Sequence, residues 1–135
     1  MEILDLKTLL FNEFGNTFEF HPEFYKEFVE LTSASGAERQ LVKQFITRLH
    51  AIISLGNIDF GTKWLEHLKE YDNMYSLHLD SKAQNFRLLF SKNGNGKYFL
   101  RMFYERSGKR ATSYEPNIKI AIKRRENGKQ EVYYE

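Results

Sequence analysis

The chain contains no cysteine, and among its 135 residues only 2 are proline and 8 are glycine. Without cysteine there are no disulfides, no thiolate zinc sites and no thiol nucleophile. That is compatible with a reducing cytoplasm, the compartment expected here. So little proline and glycine argues against wholesale disorder. Long apolar runs are missing too. The longest uncharged stretch, residues 49–58, is about half of what a membrane span needs. Glu2, Asp5 and Glu13 interrupt the start of the chain, so no signal-peptide pattern is visible. Three of the histidines, His21, His50 and His67, show no metal-ligand spacing, and no Gly-x-x-x-x-Gly-Lys loop is present. No metal and no cofactor are expected.

What the chain has is basic charge in one place. Residues 81–130 carry 13 Lys/Arg against 3 Asp/Glu, whereas residues 1–70 carry 7 against 11. The overall balance of +2 conceals a local net of +10. A basic face on a small domain is a footprint for polyanions, nucleic acid above all. Aromatic residues reach 16%, led by 12 Phe and 8 Tyr, enough for a substantial core. The length fits one domain, residues 1–135.

Periodicity orders the elements. Ile3, Leu6, Leu10 and Phe14 predict a first helix that Gly15 can stop. Residues 17–20 predict a short strand. Pro22 then suits the first turn of a helix striped by Phe24, Phe28 and Leu31, ending at Gly36. Leu41, Phe45, Leu49 and Ile52/Ile53 predict a third helix followed by Gly56, making a helix hairpin. Residues 57–73 are irregular, with one helical turn expected around Trp64, Leu65 and Leu68. Three strands follow, over 74–80, 83–92 and 97–105. The Asn93-Gly94-Asn95-Gly96 tetrapeptide predicts a hairpin turn between the last two. Residues 107–113 read as a basic loop. Thr112 or Ser113 can cap a helix over about 115–126, with Ile118, Ala121 and Ile122 inward and Lys119, Lys123, Arg124 and Arg125 outward. Gly128 closes it, and residues 131–134 suggest an edge strand.

The second half resembles the RelE/ParE superfamily of bacterial toxins, closest to its HigB-like and phage-derived members. The resemblance covers roughly residues 62–126, makes residues 1–15 a helical addition to the usual core, and rests on the succession of four segments. These are Tyr75-Ser76-Leu77-His78-Leu79, Phe86-Arg87-Leu88-Leu89-Phe90, Phe99 to Arg106, and Ile118-Lys119-Ile120-Ala121-Ile122-Lys123-Arg124. Where much of the family ends its third strand in two lysines, this chain has Glu105 and Arg106. His78 stands where some ribosome-dependent members carry lysine. The resemblance implies an α+β, RelE-like fold: a helix hairpin on a twisted antiparallel sheet of three to four strands, with a basic C-terminal helix.

It also implies a toxin that cleaves mRNA on the ribosome without a metal, and a cognate antitoxin that covers the basic face. Its partners would be mRNA, ribosomal RNA and that antitoxin, with no membrane. RNA cleavage of this type uses the 2′-hydroxyl as nucleophile. It needs proton transfers and a cation at the phosphorus. Arg87, Arg106, His78 and Tyr114 are the candidates for these tasks. Arg101, Lys109, Arg110, Lys92 and Lys123 are the candidate RNA contacts. Each has a plainer reading beside it. Arg87 and Arg101 can be structural arginines, His78 a half-buried strand residue, and the remaining cations a solvated surface. Two other functions stay open: a ParE-like gyrase poison without catalysis, and a non-toxic nucleic-acid-binding module of phage origin. Carboxylates are few in the sheet region, Asp80 and Glu105 being the obvious ones, which disfavours a two-metal nuclease.

Overall fold

The structure, a computed structural model, describes residues 1–55, 62–82, 84–94 and 96–134, with 128–134 described by their helix path alone. Gly56, the start of the strand expected at Ala83, and Asn95 of the turn lie outside the described residues. The elements run α1 (Ile3–Phe14), β1 (Phe18–Phe20), α2 (Pro22–Ser35), α3 (Glu38–Leu55), β2 (Leu65–His67), β3 (Met74–Ser81), β4 (Gln84–Asn93), β5 (Gly96–Glu105) and α4 (Arg110–Tyr134). Among the described residues no helix is long and apolar enough to cross a membrane.

The sheet corrects the expected fold. It has five strands in the order β1-β5-β4-β3-β2, and it is mixed. Phe18, Glu19 and Phe20 pair in parallel with Lys97, Tyr98 and Phe99, while the other pairs are antiparallel. A twisted antiparallel sheet of three to four strands, and with it the RelE-like fold that the resemblance implied, does not describe this molecule. Alternation reveals a strand but not its partner. The extra strand, β2, has only three residues, which leaves almost no alternation to read. Its presence also replaces the helical turn expected around Trp64 to Leu68.

Both faces of the sheet are covered. On one face Tyr75, Leu77, Leu79, Phe86, Leu88, Phe90 and Phe99 meet the apolar stripes of α1, α2 and α3, and all are buried. The rings of Phe24, Phe28, Phe45 and Phe99 pack together there, with centroids 5.0–6.2 Å apart. Ile53, expected in this stripe, faces outward instead. On the other face Leu89, Leu100 and Phe103 pack under Tyr114, Ile118 and Ala121 of α4. Covering both faces explains why β4 is buried continuously from Phe86 to Ser91. A bulge serves both layers. The β4–β5 register shifts between Leu89 and Phe90, so Leu89 opposes Arg101 while Phe90 opposes Phe99. Leu100 is the additional residue. The shift lets Phe99 and Met102 share one face and Leu100 and Phe103 the other.

The last helix differs most from expectation. It begins at Arg110, within the segment read as a loop, and it continues past Gly128 through residues 131–134, where an edge strand was expected. Neither Thr112 nor Ser113 is a cap: both lie inside the first turns. Ser113 Oγ instead accepts from the backbone N–H of Arg106 (3.3 Å), and Thr112 Oγ1 donates to the Lys109 carbonyl (3.2 Å). Proline is tolerated in a first helical turn. Pro116 sits only six residues into α4, which hid the true start from a sequence reading.

Candidate functional site

The polar residues of the α4-facing side gather where α4 begins. Alternation places Glu66 of β2, Ser76 and His78 of β3, Arg87 of β4 and Glu105 of β5 on this side, and α4 brings Arg110 and Tyr114 over them. His78 and Arg87 are directly opposite across β3–β4, and Glu66 opposes Ser76 across β2–β3.

His78 is fixed by its backbone. Its N–H donates to the Trp64 carbonyl (2.7 Å), and its carbonyl accepts from the Arg48 guanidinium of α3. Arg48 also donates to Gln44 Oε1 (2.9 Å), and Gln44 in turn accepts from the Asp80 N–H (2.8 Å). These two α3 side chains hold the end of β3 beyond the short β2. The His78 ring is mostly buried. Its Nε2 lies 3.6 Å from Glu66 Oε1, outside hydrogen-bonding range, and has no hydrogen-bond partner among the described residues. Burial, and then the Arg87 charge, lower its pKa below the usual imidazole value. Glu66, Asp80 and Glu105 oppose the shift without reversing it. The imidazole is therefore neutral at neutral pH, and its Nε2 is buried as well as unpaired among the described residues.

Arg87 is committed elsewhere. Its Nε donates to Glu105 Oε1 (3.1 Å), and its Nη1 to Asp80 Oδ1 (3.1 Å) and the Phe86 carbonyl (3.0 Å). The side chain is 10% exposed, so the guanidinium works within the protein as a brace between strands and a fixed positive charge beside His78. Arg110 is the accessible guanidinium of the cluster. It donates to Glu66, lies 4.4 Å over the Tyr114 ring, and remains 53% exposed. Burial works to lower its pKa, but the hydrogen bond and charge of Glu66 outweigh this and raise it. Tyr114 hydrogen-bonds Ser76 through its hydroxyl (2.9 Å), and burial raises its pKa, so the hydroxyl stays protonated.

Of the four residues expected to be catalytic, the structure thus brings together His78, Arg87 and Tyr114. Arg106 is exposed just beyond β5, beside Glu105. Of the expected RNA contacts, Arg110 joins the cluster and Lys109 precedes it on the surface. Arg101 does not: it pairs with Glu27 of α2 and donates to Asn117 Oδ1 (2.7 Å), the structural alternative of its two readings. Lys92 lies opposite Lys97 at the far end of the β4–β5 hairpin, and Lys123 is exposed on α4. Arg124 and Arg125, expected outward, turn in. Arg124 binds Glu27 (2.7 Å) and the Leu100 carbonyl (2.8 Å), and Arg125 binds the Asp72 carbonyl (2.8 Å).

Sequence reasoning missed Glu66 and Ser76. Glu66 is the middle residue of a three-residue strand, in a segment whose sequence reads as a helical turn. A groove of about 600 Å³ opens beside the cluster, between the chain after β2 and the first turns of α4. Glu66, Arg110 and Tyr114 line both. No family model, curated protein or solved structure matches the chain.

Proposed function

We propose that this protein is a metal-independent endoribonuclease, the toxin of a toxin–antitoxin pair, that cuts mRNA on the ribosome. The observation that carries the reading is His78: a neutral, mostly buried imidazole with Nε2 unpaired among the described residues, in one cluster with Arg110 and Tyr114. The toxin assignment follows from the resemblance of residues 62–126 to RelE/ParE segments and not from the sheet, which differs from theirs.

In this reaction the 2′-oxygen attacks phosphorus and the P–O5′ bond breaks. The products are a 2′,3′-cyclic phosphate and a 5′-hydroxyl. His78 Nε2, buried in the resting site, takes the 2′-proton once Arg110 and Glu66 part and the strand enters between them. The Arg110 fork exchanges Glu66 for the phosphoryl oxygens and stabilises the charge that builds there. Tyr114, kept protonated by burial, supplies the proton for the departing 5′-oxygen. Every carboxylate of the cluster already has a cation partner: Glu66 has Arg110, while Asp80 and Glu105 share Arg87. That arrangement suits arginine-based charge stabilisation better than a pair of metal ions, which needs uncommitted carboxylates. Three carboxylates against two guanidiniums leave the cluster no net attraction for RNA. The exposed Arg106 and Lys109 beside it supply that attraction.

Inducing the protein without a partner and mapping mRNA 5′ ends tests the reading. Wild type arrests growth and creates new ends within translated messages. His78→Gln loses cleavage by about 10²–10⁴-fold, the scale of a lost general base. Growth arrest with intact mRNA would instead identify a gyrase-type poison. No arrest would identify a nucleic-acid-binding module.

A further inference from the structure

The groove beside the cluster has two chemically distinct parts. Leu68, Tyr114 and Ile118 line it with apolar surface continuous with the core under α4. Glu70 and Glu115 bring exposed carboxylates to its rim, Lys69 brings an exposed ammonium, and Lys119 lies 3.7 Å from Glu115. Arg110 lies where the groove meets the cluster. Tyr114 supports one face of its guanidinium and Glu66 holds its edge, which fixes the plane. At about 600 Å³ the groove falls within the size of small-molecule sites, about 300–1,000 Å³.

The lining decides what part of an RNA strand enters. Leu68, Tyr114 and Ile118 suit an uncharged, flat group, while the phosphate stays near Arg110. A flat guanidinium held in place is a stacking surface for a base. A carboxylate accepts from exocyclic amines, as Asp and Glu do from cytosine N4. We propose that the groove is a single-nucleobase pocket. A base next to the cleaved phosphate stacks on Arg110 and donates its amino group to Glu70 or Glu115. Adenine, guanine and cytosine enter in preference to uracil, which has no amino group. This rests on the RNA-cleaving reading above and adds to it a base preference set by this chain.

The test is a titration of the protein with pentauridylates carrying one central A, C, G or U, every sugar 2′-O-methylated to prevent cleavage. Methyl NMR shifts of Leu68 and Ile118 report the groove. The amino-bearing oligomers are expected to shift both methyl groups and to bind about tenfold more tightly than the all-uridine one, within the range of base-edge contacts. Combined Glu70→Gln and Glu115→Gln substitution should shrink that preference to about twofold or less. Ala111→Trp, which fills the groove from an exposed position, should abolish the methyl shifts. Equal affinity for all four oligomers, or binding that leaves both methyl groups unmoved, overturns the pocket. Absence of any binding does so as well. Cleavage mapping with His78→Gln is a separate readout. Intact, His78-dependent cleavage with no base preference leaves the nuclease reading standing and removes only the pocket. Base-selective binding without any cleavage does the reverse.

Discussion

His78 and Arg87 face each other across two strands, yet their substitution should have opposite consequences. Arg87 is nearly buried, and its partner Glu105 is 15% exposed. Arg87→Ala leaves that carboxylate without a cation and should cost about 3–5 kcal/mol in urea unfolding. Asp80 is 48% exposed. Asp80→Asn should therefore cost less than about 1 kcal/mol. Loss of activity in Arg87→Ala would report unfolding as readily as chemistry, which makes His78→Gln the informative substitution. His78 also links stability to pH. Its pKa is depressed in the folded state, so the unfolded chain takes up the proton first. Its contribution is complete above the ordinary imidazole pKa of about 6.5 and is lost as pH falls below it. Wild type should lose more stability than His78→Gln as the pH of urea titrations is lowered from 7 to 5. RNA cleavage should persist below pH 6.5 before its acid limb begins.

At the scale of elements, the edge of β5 is the place where the chain had most to solve. β1 covers β5 only as far as Phe99, and the bulge at Leu100 follows at once. Glu27 of α2 takes over. One carboxylate oxygen accepts from the Met102 N–H (3.1 Å), and the carboxylate also binds Arg101 and Arg124. Arg124 then reaches the Leu100 carbonyl. The exposed backbone groups of an edge strand are thereby satisfied by side chains from helices on both faces. Glu27→Leu should cost about 3 kcal/mol or more, because it strands two largely buried guanidiniums. Hydrogen exchange at the Met102 amide should quicken in step. The sequence announced the helices α1 to α3 by their one-sided apolar stripes, the three long strands by their apolar and aromatic runs, and the hairpin turn by its Asn-Gly pairs. It did not announce what depends on distant pairing. The parallel contact of β1, the identity of β2 and the inward turn of Arg124 and Arg125 all rest on residues tens of positions away. Of the site, His78, Arg87, Tyr114 and Arg110 stood out as polar interruptions or loop cations, while Glu66 had no pattern to stand out from.

For the whole molecule, the charge asymmetry of the sequence survives only in part. Arg87, Arg101, Arg124 and Arg125 turn inward and are neutralised or bound to carbonyls, so the +10 of residues 81–130 overstates the basic surface. What faces outward near the site is Arg106, Lys109 and Arg110. Replacing Arg106 and Lys109 together by glutamine should weaken binding to single-stranded RNA regardless of sequence. The slope of log K against log salt should fall by about 1.4, since each phosphate contact on a single strand contributes about 0.7. An unchanged slope would place the RNA path elsewhere on the surface.

The parallel pairing of β1 with β5 also sets a timetable. Phe18 pairs with Lys97, 79 positions later in the chain. At 5–20 residues per second of synthesis, β1 waits about 4–16 s for its partner strand. Until β3 and β4 follow, the apolar faces of α2 and α3, with Phe24, Phe28 and Phe45, have no sheet to pack against. Arg110 and Tyr114 emerge later still. A growing chain is therefore first a candidate for chaperones, and the cluster around His78 cannot exist until α4 has begun to emerge.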